Sequence, residues 1–408
     1  MAHYSLRSSN MEGSHLEYGL IGGLSISQAL IISPLVPTVR KVIGTRPTLL
    51  LGAVLIFVSL LTASFSTKIW HLFLSQGVCF GWGMGCCYVT AAAVLPPWFT
   101  SRRSLAVGVA TSGSGIGGLV YSIATNAIIE KFDVGWAYRI LAFCALGSNL
   151  LAALLLKEWR GRTQMVQEEL RFDPWDFGKV ELLLVIFWGL STDLGYIILL
   201  YSLPTYAASI GLTPTQGAVS SALLNLGLAL GRPSVGYFSD SFGRINMAGV
   251  MTFLCAVFCF TLWIPSQSYA PLLAFSLLAG ALCGTFWGTV TPVLAEVVGI
   301  RKLASTFGVI CLPMALPTTF AELVAMKMVG QEGDVSSGSI MFTNAKLFVG
   351  FMFLAGALSV WFLRCWKISK VETEQSANGT LLLAPPVRRS RYWVSWLTPR
   401  LLFSSKRV

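Results

Sequence analysis

The sequence predicts an all-α membrane protein made of two helical halves, with eleven spans where a six plus six arrangement has twelve. Three observations predict this. First, 54% of the 408 residues are apolar and only 12% are charged, against about 25% charged in a soluble domain. The 18 acidic and 29 basic side chains are too few to cover a water-soluble fold of this size, so lipid must be the solvent for much of the chain. Second, the apolar residues fall into runs of about 20, the length that crosses a bilayer as a helix. Third, two landmarks recur at one offset: Gly44 and Gly243, each in a basic loop, are 199 residues apart, and so are Arg102 and Arg301, each opening a span. That is the mark of two parallel halves.

In chain order, spans are expected at 16–38, 48–66, 69–95, 104–128, 136–156, 180–203, 214–238, 247–265, 270–295, 303–328 and 346–365. The first is the least hydrophobic, and the polar stretch before it lacks the apolar core of a signal peptide. In the third, Gly77, Gly81 and Gly85 recur every four residues, and Gly113 and Gly117 do so in the fourth; both rows read as close-packing faces. The tenth carries Pro313 and Pro317, which kink it. The chain therefore divides into an N-terminal bundle (1–156), a central loop (157–179), a C-terminal six-helix bundle (180–365) and a basic tail (366–408). The span at 180–203 has its counterpart near −19 to 4 at the 199-residue offset. One helix of the first half is thus expected to be missing, as a truncated gene model or misassigned start would produce.

Orientation follows from the loops. Arg40, Lys41 and Arg46, then Arg102 and Arg103, then Lys157 to Lys179, then Arg244, then Arg301 and Lys302, then the tail, alternate with connections that carry at most one Lys each. Positive loops stay in the cytoplasm. The net charge of +11 is thereby absorbed into topology, and nucleic acid is not an expected partner. Trp70, Trp98, Trp136, Trp159, Trp263 and Trp366 fall near span ends, as an interfacial belt requires. Nine cysteines without C-x-x-C spacing make neither a disulfide framework nor a zinc site. His3, His15 and His71 are the only histidines, and none is deep in a span. No catalytic constellation, metal or cofactor is expected. Gly113-Ser114-Gly115-Ile116-Gly117-Gly118 matches a dinucleotide pattern by spacing, but no strand precedes it.

Two motifs carry a resemblance. Gly236-Tyr237-Phe238-Ser239-Asp240-Ser241-Phe242-Gly243-Arg244 resembles the signature loop of the major facilitator superfamily, in which a carboxylate can face the N-terminus of a neighbouring helix. In the first half Lys41 stands where that Asp falls. The segment from Trp98 to Gly113 resembles the motif of the monocarboxylate porter family, an aromatic pair, a basic cluster, Leu-Ala and small residues, and looks closest to fungal members. The resemblance implies a facilitator fold of two six-helix halves and a transport function. It also implies an Asp four residues before the arginine matching Arg232; here that position is Leu228.

Ionisable groups within a span are costly and therefore functional by default. Arg232 lies eight residues before Asp240, roughly 12 Å along a helix, inside the hydrocarbon. Its guanidinium can bind a carboxylate bidentately. Asn225 and Gln28 are further substrate-binding candidates, Asp193 and Glu322 are proton-coupling candidates, and Asp240, Gly243, Arg244, Arg102, Arg103, Glu296 and Arg301 are gating candidates. The expected function is secondary transport of a small organic anion by alternating access, with protons as the coupling partner and lipid as the surroundings, in the plasma membrane. The alternatives are export of a natural product, or a non-transporting sensor or inactive form of the same fold.

Overall fold

Fourteen α-helices account for nearly all of the described residues of the computed structural model, which are 15–99, 101–157, 178–328 and 342–380; no strand occurs among them. The first half holds α1 (His15–Ile32), α2 (Val36–Ile43), α3 (Thr45–Ala63), α4 (Ile69–Leu72), α5 (Phe80–Val94), α6 (Arg103–Lys131) and α7 (Val134–Leu155). The second holds α8 (Val180–Ser209), α9 (Pro214–Phe242), α10 (Arg244–Phe258), α11 (Tyr269–Cys283), α12 (Thr285–Val297), α13 (Leu303–Met328) and α14 (Thr343–Thr380). A π segment, Phe73–Cys79, joins α4 to α5, and another, Cys259–Trp263, extends α10. Among the described residues nine helices or continuous helix pairs are long and apolar enough to cross a membrane, and ten if α1 and α2 count as one broken span. To these α9 adds a 29-residue helix rich in Gly and Ser.

The repeat read from the sequence is visible in the backbone. Gly44 and Gly243 end α2 and α9 with φ of +93° and +101°, a left-handed conformation in which a side chain would be strained. Each turns the chain at once into the next helix, α3 or α10.

The halves meet chiefly at two helix crossings, α6–α9 and α1–α13. In lipid there is little hydrophobic force between helices, so close approach of small residues carries the association. At the α6–α9 crossing Gly108 faces the Arg232 carbonyl, Gly115 faces Ala229 and Gly236 faces the Ser104 carbonyl; a Cβ on any of the three would come within 3 Å of backbone. At the α1–α13 crossing Gly23 lies against Thr318 and Thr319, Gly308 lies against Ser33, and the Ser33 hydroxyl donates to the Gly308 carbonyl at 2.6 Å. Gly108→Ala is expected to force α6 from α9 and lower stability by about 1–3 kcal/mol, the usual cost of overpacking. Gly113→Ala on the same helix, where a Cβ meets nothing within 4 Å, is the control. Thermal unfolding in detergent compares them, and equal melting of the two variants contradicts the close-packed crossing.

Several expectations are corrected. The first span is not one helix: it breaks between Ile32 and Val36 with a bend of 57°, because Pro34 has no N–H to continue the ladder and Pro37 sits in the first turn of α2. Gly77, Gly81 and Gly85 do pack, on Leu24, Ser25 and Ala29 of α1, but Gly113 and Gly117 touch no neighbouring helix. The packed row on α6 is Gly108, Gly115 and Gly118. Trp263 does end its span, but it faces protein and not lipid: it is fully buried, stacked on Phe275 with centroids 5.2 Å apart. The helix of the last span continues beyond 365, and α14 runs to Thr380 through a stretch with no proline and no glycine before Gly379.

The halves also differ. Half of the apolar window of α14 is buried but only 11% of that of α7. Gly113, Ser114, Tyr121 and Ser122 leave an exposed small and polar face on α6. In the second half α8 supplies the central packing element, with Trp188, Ile198, Leu199 and Tyr206 fully buried.

Candidate functional site

Two constellations lie where the halves meet, one at the end of the bundle that carries the basic loops and one deeper in. The basic-end group is built on the C-terminus of α9. There the Asp240 carboxylate accepts the backbone N–H of Ser104 at 3.0 Å through Oδ1 and that of Leu105 at 3.0 Å through Oδ2. These are orphan donors of the first turn of α6, so a carboxylate from one half caps a helix of the other. Arg244, placed by the Gly243 turn, pairs with Asp240 at 3.4 Å and with Glu296 at 3.1 Å. Lys367 of α14 donates to the Glu296 carbonyl at 2.7 Å. These residues surround a cavity of about 480 Å³. Arg103 is buried and donates Nε to the carbonyls of Pro96 and Phe99 at 3.0 and 3.1 Å, clasping the loop before α6. Arg102 and Arg301 are exposed.

The deeper group begins with α9, whose start is fixed by a capping box between Thr213 and Gln216 with Pro214 in the first turn. Arg232, nineteen residues after Thr213, lies well down this helix and is only 6% exposed. Its side chain crosses to the other half, where Nη1 donates to the Thr111 carbonyl at 2.7 Å and to the Ser114 hydroxyl. A Cβ at Gly284, between α11 and α12, would stand 2.8 Å from Nε and 2.9 Å from Nη2, so the missing side chain makes room for the guanidinium. Nε is buried with no partner. Among the described residues no carboxylate lies within ion-pair distance of Arg232.

Asp193 lies on α8, 2% exposed. Its Oδ1 accepts Trp287 Nε1–H at 3.0 Å, while Oδ2 is buried without a partner. Trp287 in turn meets Tyr88 of the first half edge-on at 5.8 Å, and Tyr88 meets Phe307 at 6.2 Å. Arg232 on α9, with Nε open, and Asp193 on α8, with Oδ2 open, are thus two buried charges that form no ion pair with each other. The cost of such groups is high unless something completes them.

The other sequence candidates lie elsewhere. Asn225 donates to the Ser221 carbonyl at 3.1 Å and packs over Gly118 in the α6–α9 crossing. Gln28 accepts from Trp82 Nε1 at 3.1 Å at an exposed edge of α1. Glu322 lies on α13, and its side chain falls outside the described residues. Sequence reasoning missed Thr111, Ser114, Trp287 and Tyr88, which hold or enclose the two charges. Only the three-residue spacing of Thr111 and Ser114, one helical face, offered a signal.

Two helical bundles packed on each other, with a capped, ion-paired cluster at one end and buried charges between them, have the architecture of a membrane carrier. The chain belongs to the Major Facilitator Superfamily: its family model matches residues 6–310. Among relatives, the chain is 31% identical over 377 residues to "Probable transporter MCH2" of Saccharomyces cerevisiae, covering 91% of this chain and 78% of that protein. It is 30% identical to "Uncharacterized transporter ESBP6" of the same yeast, covering 92% of this chain and 57% of that protein. It is 27% identical to the "Fujikurins efflux protein" of Gibberella fujikuroi, covering 87% and 75%. In fold it resembles the transporter FucP, solved in the outward conformation, with a TM-score of 0.62 at 13% identity over 86% of this chain and 91% of that one. A second FucP structure, the E. coli fucose:proton symporter, gives a TM-score of 0.58. The chain is a multi-pass membrane transporter of this superfamily.

Proposed function

We propose that this transporter moves a small organic anion of the monocarboxylate type by alternating access, with Arg232 as the carboxylate contact. The observation that carries the reading is the guanidinium itself: buried, reaching from one half to the other, without a counterion among the described residues and with Nε open. A planar fork of donors in that state suits a carboxylate. Saturable uptake of labelled monocarboxylates into vesicles tests it, with Arg232→Ala as the comparison; unchanged transport by that variant defeats the assignment.

We further propose that Asp193 couples transport to protons in place of the acidic residue that Leu228 replaces. Its Oδ2 has no donor in this state, so a proton or a donor on the substrate completes it. Asp193→Asn is expected to abolish accumulation driven by a pH gradient while leaving downhill exchange of the same acid. Gradient-driven accumulation that persists in this variant rules Asp193 out. Export is the second reading, favoured by the similarity to a protein named as an efflux protein, and is decided by the sidedness of transport in oriented vesicles. We place the protein in the plasma membrane, a reading that imaging of the tagged chain checks. The gating roles of Asp240, Gly243, Arg244 and Glu296, with Arg103 beside them, are likewise proposals resting on the capped helix end described above.

A further inference from the structure

The repeat extends to single contacts. Gly81 faces the Ser25 carbonyl as Gly280 faces that of Leu224, and Gly85 meets Ala29 as Gly284 meets Leu228. At the crossings, Gly108 lies against the Arg232 carbonyl and the Cα of Pro233, and Gly308 lies against the Ser33 carbonyl and the Cα of Pro34. Ser33 is therefore the counterpart of Arg232, 199 residues earlier. At the same offset Tyr88 is the counterpart of Trp287, each three residues beyond its glycine, Gly85 or Gly284. These two rings touch each other, edge to face with centroids 5.8 Å apart. A residue in contact with its own counterpart lies on the two-fold axis that relates two parallel repeats, and neither ring is fully buried there.

Arg232 stands beside this pair. Its side chain packs on Gly284 and Gly288 of the start of α12, and the three-residue step from Gly284 to Trp287 puts both on one helical face. A carboxylate on the open Nε therefore lies about one helical turn, roughly 5 Å, from the root of the indole. The difference across the axis sets the charge of the site. Where one crossing carries a guanidinium, the other carries Ser33, fully buried with its hydroxyl donating to the Gly308 carbonyl at 2.6 Å. A second carboxylate directed there would be buried without a cation, which is costly. The indole and phenol rings, already edge to face, suit a third planar ring by offset or edge contact, whereas a saturated ring of equal size fills the volume without that attraction.

We propose that the substrate is an aromatic monocarboxylate, its carboxylate on Arg232 and its ring at the axis against Trp287 and Tyr88, with Ser33 leaving no place for a second charge. This rests on the carboxylate contact proposed for Arg232 and adds the body of the substrate. The full chain in proteoliposomes is assayed for initial uptake of labelled phenylacetate above that of protein-free vesicles, with unlabelled compounds as competitors. Phenylacetate is expected to compete about five-fold better than cyclohexylacetate, the margin of one aromatic contact. Para-phenylenediacetate, which carries a second carboxylate on the same ring, is expected not to compete. Trp287→Leu and Tyr88→Leu are each expected to bring the phenyl-to-cyclohexyl ratio close to one, while Trp287→Phe and Tyr88→Phe keep it. No uptake of phenylacetate, equal competition by the phenyl and cyclohexyl acids, a diacid as strong as the monoacid, or a ratio unchanged in both Leu variants overturns the proposal. Phenylacetamide separates it from the reading beneath it: an amide that competes as well as the acid defeats the Arg232 contact, and a phenyl preference that persists in that case still upholds the ring site.

Discussion

Arg232→Ala is expected to raise the KM for a transported monocarboxylate by about 30-fold or more. Truncating one partner of a buried, hydrogen-bonded charge pair costs about 2–5 kcal/mol, and each 1.4 kcal/mol is about tenfold in affinity. Arg232→Lys keeps the charge but not the planar fork, and its shorter side chain does not extend as Nη1 does to Thr111 and Ser114, so it is expected to restore only part of the affinity. Neither variant should unfold the bundle, because the α6–α9 crossing rests on the backbone contacts of Gly108, Gly115 and Gly236. Initial-rate uptake across a concentration series checks this. A variant with lowered turnover but unaltered KM assigns Arg232 to the crossing and not to the substrate.

Asp240→Ala is expected to open the basic end. It removes the two backbone hydrogen bonds that cap α6 and one partner of Arg244. Hydrogen bonds to a charged group are worth about 1.5–3 kcal/mol each, so their loss shifts a two-state equilibrium by a factor on the order of 100 or more. The first half has no equivalent carboxylate: Lys41 stands at the repeat position and is exposed, and the α1–α13 crossing is held by the Ser33 bond and glycine packing. The proposed closure is therefore one-sided, and Lys41→Ala should change nothing. Spin labels on Val42 and Phe242, which are 78% and 63% exposed at the basic ends of the two halves, report the opening. A single short distance in the native chain and a second, longer population in Asp240→Ala are expected; identical distributions rule the carboxylate out as the latch.

The helical architecture and the repeat were legible because lipid imposes length and composition on every span, and because Gly44 and Gly243 must both adopt positive φ. Asp240 was legible for a related reason: a carboxylate one turn before a left-handed glycine is placed by the backbone. The bend at Pro34 was not, because a proline in an apolar run signals a break without its angle. Trp263 stands at a span end as its position implied, but its burial on Phe275 was not legible, since it depends on the approach of α11. The central site was half legible. Arg232 and Asp193 stand out as charges in apolar helices. Their partners Thr111, Ser114 and Trp287 are of types that occur throughout such spans, and only the crossing of α6 with α9 and the approach of α12 to α8 select them. Asn225 shows the converse: its seven-residue spacing from Arg232 is right for one face, but Gly118 draws it into the interhelical contact.

The central claim, recognition of a carboxylate by a buried guanidinium in an alternating-access carrier, is tested most directly by counterflow in proteoliposomes. The vesicles are preloaded with a monocarboxylate and offered either the labelled acid or the labelled amide of the same carbon skeleton. Transient accumulation of the acid without the amide is predicted, and its loss in Arg232→Gln. Equal accumulation of acid and amide, or counterflow of the acid undiminished in Arg232→Gln, contradicts the account.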